Sequence, residues 1–157
     1  AYLHKMCVVH RDVKSQNVLF TAGPRPSAKL CDFGLARMRS EIGTGTMQYA
    51  GTAQYMAPEL FAKRKYNETV DVWAFGTLIW EVASTEIPHA NLDPADIAHR
   101  VQHKDAAGLS VASSWPKSLK ALLRSTLQVQ TEGRPSMFEV TQKLAQVMQD
   151  CPPPDRF

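Results

Sequence analysis

"HRDVKSQN", residues 10–17, sets an acid, a lysine and an amide within six positions, behind a histidine and an arginine. Short apolar runs flank it, "CVV" at 7–9 and "NVLF" at 17–20, and each reads as a short strand. Taken singly, Asp12 is a turn-forming acid after a strand, and Asn17 is a turn or capping amide. Taken together they need one explanation, because Asp12, Lys14 and Asn17 bring a proton acceptor, a cation and an oxygen donor to one short loop.

Outward from this loop, "AKLC" at 28–31 reads as another strand, and "TAGPRPS" before it is turn chemistry, with Gly23, Pro24 and Pro26 opposing regular structure. Residues 1–6 resemble the end of a helix without a cap, and the chain starts at Ala1 rather than Met, so we expect a piece of a longer protein. From Asp32 to about Pro58 no period is sustained, and Gly43, Gly45 and Gly51 lie among Ser and Thr. A loop of this length inside a domain is usually functional.

The second half is helical in pattern. "TVDVWAFGTLIWEVAS" at 69–84 is apolar on nearly every face, which predicts a core helix buried all round. "DPADIAHRVQH" opens on a cap and a first-position proline, "WPKSLKALLRSTLQ" has apolar residues at helical spacing, and "SMFEVTQKLAQVMQ" follows a cap at Ser136. We expect one domain over 1–149, with 150–157 as a polar, proline-rich tail.

Composition narrows the class. Of the 157 residues, 44% are hydrophobic and 21% charged, ordinary values for a globular domain. A net charge of +3, with no basic tract interleaved with aromatics, gives no reason to expect nucleic acid. No apolar run approaches the ~20 residues of a membrane span. Cys7, Cys31 and Cys151 are odd in number and lack CxxC spacing, so neither a zinc site nor a disulfide framework is indicated, and a reducing, cytoplasmic setting is expected.

Phosphoryl transfer from a nucleotide asks a protein for a carboxylate to accept a hydroxyl proton, a cation near the moving group and oxygen ligands for magnesium. "HRDVKSQN" supplies each, and "DFG" at 32–34, "APE" at 57–59 and "DVWAFG" at 71–76 follow in the order and at the spacing of protein kinase catalytic domains. The resemblance covers essentially residues 2–148. It implies an α+β, protein kinase-like fold, of which this chain would be the mostly helical C-terminal lobe with short strands around the catalytic loop. The β-rich N-terminal lobe, with its glycine-rich loop and strand lysine, would be absent, and ATP binding by the piece alone very weak.

By the same resemblance, Asp12 is the catalytic base, Lys14 steadies the γ-phosphate, and Asn17 and Asp32 ligate magnesium. Leu19 and Cys31 are expected at the nucleotide pocket. His10 and Phe33 link the catalytic loop to the DFG segment, and Gly34 is expected to permit a sharp turn beside the metal. Asp71, the lone charge at the start of the apolar helix, needs buried donors, and in the family it holds the backbone near the His-Arg pair. Glu59 and Arg134 resemble a structural ion pair; Gln130 and Thr131 stand before it where relatives often carry Asp-Pro. Thr52 would hydrogen-bond Asp12 and Lys14.

The implied function is transfer of the γ-phosphoryl group of MgATP to Ser/Thr hydroxyls of protein substrates. Lys14 and "GT" at 51–52 resemble serine/threonine enzymes, and "GTAQYMAPEL" resembles the tyrosine-kinase-like group of them. Arg11 suggests control by an upstream kinase acting on Thr44 or Thr46, with Ser40 behind them. The rival is a pseudokinase or lobe-only scaffold, but degenerate members commonly lose Asp12, Asn17 or Asp32, and all remain. His99 and His103 are four apart without the glutamate of a zinc-protease helix, and read as a solvated face.

Overall fold

The computed structural model describes residues 1–42, 51–103 and 105–151. Thr44 and Thr46 lie outside the described residues. A short helix, α1 (Tyr2–Lys5), leads into strand β1 (Val8–Val9), and a 3-10 turn at Ser15–Asn17 leads into β2 (Val18–Phe20). β2 pairs antiparallel with β3 (Ala28–Leu30), Val18 facing Leu30 and Phe20 facing Ala28. The turn between them closes on itself, the Thr21 N–H donating to the Ser27 carbonyl and the Ser27 N–H to the Thr21 hydroxyl.

A fourth strand, β4 (Arg37–Met38), pairs antiparallel with β1, Val8 opposite Met38 and Val9 opposite Arg37. It lies in the stretch where no period is visible. Two residues are too few to show alternation, and only the partner strand makes them extended. Further on come 3-10 turns at Arg39–Glu41 and Ala53–Tyr55, and a one-turn helix α2 (Pro58–Phe61) opened by its proline.

Helix α3 (Thr69–Ser84) runs through the core, burying Val70, Val72, Trp73, Ala74 and Trp80. Burial all round holds for its first three turns and fails at the last, where Val82 is 71% exposed. The chain leaves the helix there through Thr85 in a left-handed conformation, and none of the described residues covers that face. Against α3 pack α5 (Lys117–Thr126) and α6 (Met137–Asp150), while α4 (Pro94–His103) packs on α2 and on the 3-10 turn at Ala53–Tyr55. Asp93 Oδ1 accepts the Ala95 and Asp96 N–H groups at the start of α4. Ser136 and Glu139 exchange side-chain-to-backbone bonds at the start of α6.

Ile97 and Val101 of α4, Leu122 and Leu123 of α5, and Val140 of α6 close the core around Trp73. Helices α3 and α5 approach at Gly76, where a Cβ would stand 2.3 Å from Thr126 Oγ1. The strands carry little of this core; they are the platform on which the loop at 10–17 is displayed.

Candidate active site

The loop is held from beneath. Arg11 takes a left-handed φ of 67°, unfavourable for a side chain with a Cβ, so something must fix it. Asp71, buried near the start of α3, accepts the His10 N–H at Oδ2 (2.9 Å) and the Arg11 N–H at Oδ1 (2.8 Å). His4 of α1 adds a third contact, its Nε2 2.8 Å from Asp71 Oδ2. Nothing in the sequence marks His4, because only the fold brings it to α3.

His10 is fully buried and joins two segments. Its Nδ1 accepts the Asp12 N–H (3.3 Å), and its Nε2 lies 3.1 Å from the Cys31 carbonyl, so a ring protonated on Nε2 satisfies both. The Phe33 ring meets it edge-on at 5.0 Å. Cys31 in turn donates its N–H to the Asn17 carbonyl (2.9 Å), and its Sγ lies 3.3 Å from the same oxygen. The DFG segment is thereby tied to both ends of the catalytic loop.

Asp12 sits at the convergence, 8% exposed. Its Oδ1 accepts the Thr52 N–H and hydroxyl, each at 3.0 Å. Its Oδ2 accepts Lys14 Nζ at 2.7 Å and Asn17 Nδ2 at 3.1 Å. Lys14 Nζ also donates to Thr52 Oγ1 (2.7 Å), and Asn17 Nδ2 to the Asp12 carbonyl (2.8 Å). Burial pushes the Asp12 carboxyl up, but donors from Lys14, Thr52 and Asn17 together outweigh it and hold the group below its ordinary value. Gly51 allows Thr52 this close: its φ is 108°, and a Cβ there would lie 2.7 Å from the Arg11 carbonyl.

Asp32 is exposed and itself left-handed (φ 59°), and its Oδ1 accepts the Gly34 N–H at 3.2 Å. This corrects the expectation for Gly34. The left-handed residue of this turn is Asp32, Gly34 has no positive φ, and what its missing Cβ provides is room beside Asp32 Oδ1, 3.2 Å from where that atom would stand. Asn17 and Asp32 offer an amide and a carboxylate oxygen, donors that suit magnesium. Among the described residues no three His, Cys, Asp or Glu cluster for a metal, so phosphate oxygens and water would complete its shell. Leu19 lies on β2, 57% exposed, and Cys31 is half-buried beside Asn17.

Arg11 points its Nε at the Leu35 carbonyl (2.6 Å) and its Nη1 at the Tyr66 hydroxyl (2.9 Å). Ser40 is exposed in the turn at Arg39–Glu41. Sequence reasoning missed a second polar network. Glu81 of α3 accepts the Ser15 hydroxyl at Oε1 (2.9 Å) and the Tyr55 hydroxyl at Oε2 (2.8 Å). Burial, helped by the Glu81 carboxylate, pushes the Tyr55 hydroxyl up to about 12, so it remains a donor. The signal that could have found Glu81 is its apolar neighbours in a core helix, of the same kind that marked Asp71.

Glu59 and Arg134 are both 6% exposed and pair bidentately at 2.6 and 2.7 Å. The remaining Arg134 donors reach the carbonyls of Thr69, Gln128 and Val129, and the guanidinium lies 5.0 Å from the Trp73 ring centroid. All five N–H groups are used. The His99 and His103 rings meet tilted, 4.8 Å between centroids, on the exposed face of α4, away from this site.

A helical lobe displaying an Asp-Lys-Asn loop, tied to a DFG turn and footed on a buried helical aspartate, defines a class, and comparison agrees: residues 1–144 match the protein kinase domain, and the chain belongs to that family. It is 37% identical over 141 residues to mitogen-activated protein kinase kinase kinase dlk-1 of Caenorhabditis elegans, covering 90% of this chain and 15% of that protein. To mitogen-activated protein kinase kinase kinase 13 of Bos taurus it is 37% identical over 143 residues, 91% of this chain and 14% of the other. A probable serine/threonine-protein kinase of Dictyostelium discoideum shares 34% over 146 residues, 93% of this chain and 16% of its own length. The chain thus spans about one-seventh of the length of these relatives.

Proposed function

We propose that the protein of which this chain forms part transfers the γ-phosphoryl group of MgATP to serine and threonine hydroxyls of protein substrates, within a signalling cascade of the kind its relatives are named for. The observation that carries this reading is the ionised Asp12 carboxylate, gathered with Lys14, Asn17 and Thr52 into one hydrogen-bonded group. Bound magnesium would neutralise phosphate charge, held by Asn17 and Asp32. Asp12 would orient the acceptor hydroxyl and take its proton.

The geometry adds a step. A carboxylate offers about four lone-pair sites, and those of Asp12 are taken by Thr52 twice, Lys14 and Asn17. An acceptor hydroxyl must displace one donor. Lys14 is the one with another anion to go to, the nucleotide phosphate, so its departure opens Oδ2 to substrate as the phosphate arrives. Thr52 keeps its bonds to Oδ1 and holds the substrate platform in place.

Control through Arg11 and phosphorylation of Thr44 or Thr46 by an upstream kinase belongs to this proposal, as does a reducing compartment, which the free thiols of Cys7, Cys31 and Cys151 fit. The test is phosphotransfer from MgATP to a generic Ser/Thr protein by the full-length protein and its Asp12→Asn variant. We expect the substitution to cut kcat by at least about a hundredfold with nucleotide affinity retained. A folded, nucleotide-binding wild type without transfer, or an unimpaired variant, would overturn the reading in favour of a scaffold.

A further inference from the structure

A cavity of about 390 Å3 opens beside the Glu59–Arg134 bridge, and none of the residues gathered around Asp12 lines it. Its walls are the α2 end with the segment that follows (Pro58, Glu59, Arg64, Lys65), the last turn of α4 (Gln102, His103), and residues 129–132 ahead of α6. The volume falls in the lower part of the roughly 300–1,000 Å3 typical of ligand sites. Most of the residues that line it are polar or charged, and Pro58, Ala62 and Val129 are the apolar ones.

The charge balance in this cavity is uneven. Arg64 and Lys65 are exposed, and among the described residues neither has a carboxylate within ion-pair distance. Of the two acids among the described lining residues, Glu59 is fully taken by Arg134. Glu132 is fully exposed, and its own backbone N–H and the Thr131 hydroxyl hold its carboxyl below the ordinary value, so it stays negatively charged. His103 and the side-chain amides of Gln102 and Gln130 remain as further polar groups. Two cations on successive residues, against the one carboxylate of Glu132 that Arg134 does not take up, leave an excess of positive charge that suits carboxylates spaced along an extended chain.

We propose that this cavity docks an acidic, Asp/Glu-rich segment of a protein partner, its carboxylates on Arg64 and Lys65 and its backbone on Gln102 and Gln130. Glu59 belongs to α2, seven positions after Thr52, so a partner bound here lies alongside the segment that carries the substrate platform. That consequence rests on the kinase reading. The docking itself does not, and is measured without nucleotide.

The probe is a short fluorophore-labelled peptide of Glu and Asp, titrated by anisotropy into the full-length protein, its Arg64→Glu/Lys65→Glu variant and a control with the same charge change, Arg124→Glu/Lys143→Glu on α5 and α6. We expect saturable, salt-sensitive binding, weakened at least about tenfold by the first pair and little changed by the second. Hydrogen exchange should show peptide-dependent protection confined to residues 58–65, 102–103 and 129–132. Equal weakening by both pairs would reduce the effect to net charge and overturn the proposal. So would absence of saturation, or binding of a phosphoserine peptide where the Glu/Asp peptide fails.

Discussion

Lys14 decides how Asp12 titrates. With its ammonium 2.7 Å from Oδ2, the carboxyl stays ionised below the usual carboxylate range despite burial. Lys14→Met removes the strongest of the opposing donors and leaves burial in force, so the Asp12 carboxyl should titrate at clearly higher pH in the variant, read by carbon NMR of the labelled side chain. An unchanged titration would mean that Thr52 and Asn17 suffice. His89 is the opposite case: 7% exposed and left-handed, with no partner for Nδ1 among the described residues, it is pushed down to about 4 by burial and then by Arg100. Its folded value lies below the unfolded one, near 6.5, so between those values the unfolded chain binds the extra proton. Stability should therefore fall as pH drops from about 6.5 to about 4, by at most about 3 kcal/mol, and His89→Gln should flatten that slope in urea melts. The sequence shows His89 only as a loop histidine; its burial comes from the packing of the loop between α3 and α4.

Where elements meet, Gly76 is the tightest point. Alanine there would raise helix propensity by about 1 kcal/mol, yet its Cβ would stand 2.3 Å from Thr126 Oγ1 and 2.8 Å from Thr126 Cβ, both on a buried residue. The clash should win. Gly76→Ala is expected to destabilise the protein by about 1–3 kcal/mol, measured by chemical denaturation, with partial recovery in Gly76→Ala/Thr126→Ala. If Gly76→Ala stabilised instead, α3 and α5 would have to separate more freely than their packing shows. Helices α3 to α6 were legible because caps, apolar spacing and length are local properties of the chain. β4 and the 3-10 turns were not, since two or three residues carry no period and take their shape from partners distant in sequence. The exposed end of α3 was misread for a related reason: an apolar run tells what a segment could bury, and not whether anything covers it.

For the molecule as a whole, the most informative residues were those whose chemistry conflicted with their surroundings. Asp71 in an apolar helix demanded donors, and His10 and Arg11 provide them; Asp12, Lys14 and Asn17 crowded into a short loop demanded one purpose, and they share one hydrogen-bonded group. What stayed hidden were third parties supplied by topology, such as His4 on Asp71 and Arg134 across the Trp73 ring. Helix α3 gathers these threads. Asp71 near its start grips the backbone ahead of Asp12, while Glu81 near its end grips Ser15 beyond it, together with Tyr55. Ten positions separate the two grips, a rise of about 15 Å with both side chains turned toward the same loop. One inserted or deleted residue between them would swing one grip about 100° away from the other. Loops elsewhere in such a chain are free to lengthen or shorten over evolutionary time, but the spacing along this helix acts as a fixed gauge, and indels there should be purged long before most substitutions are.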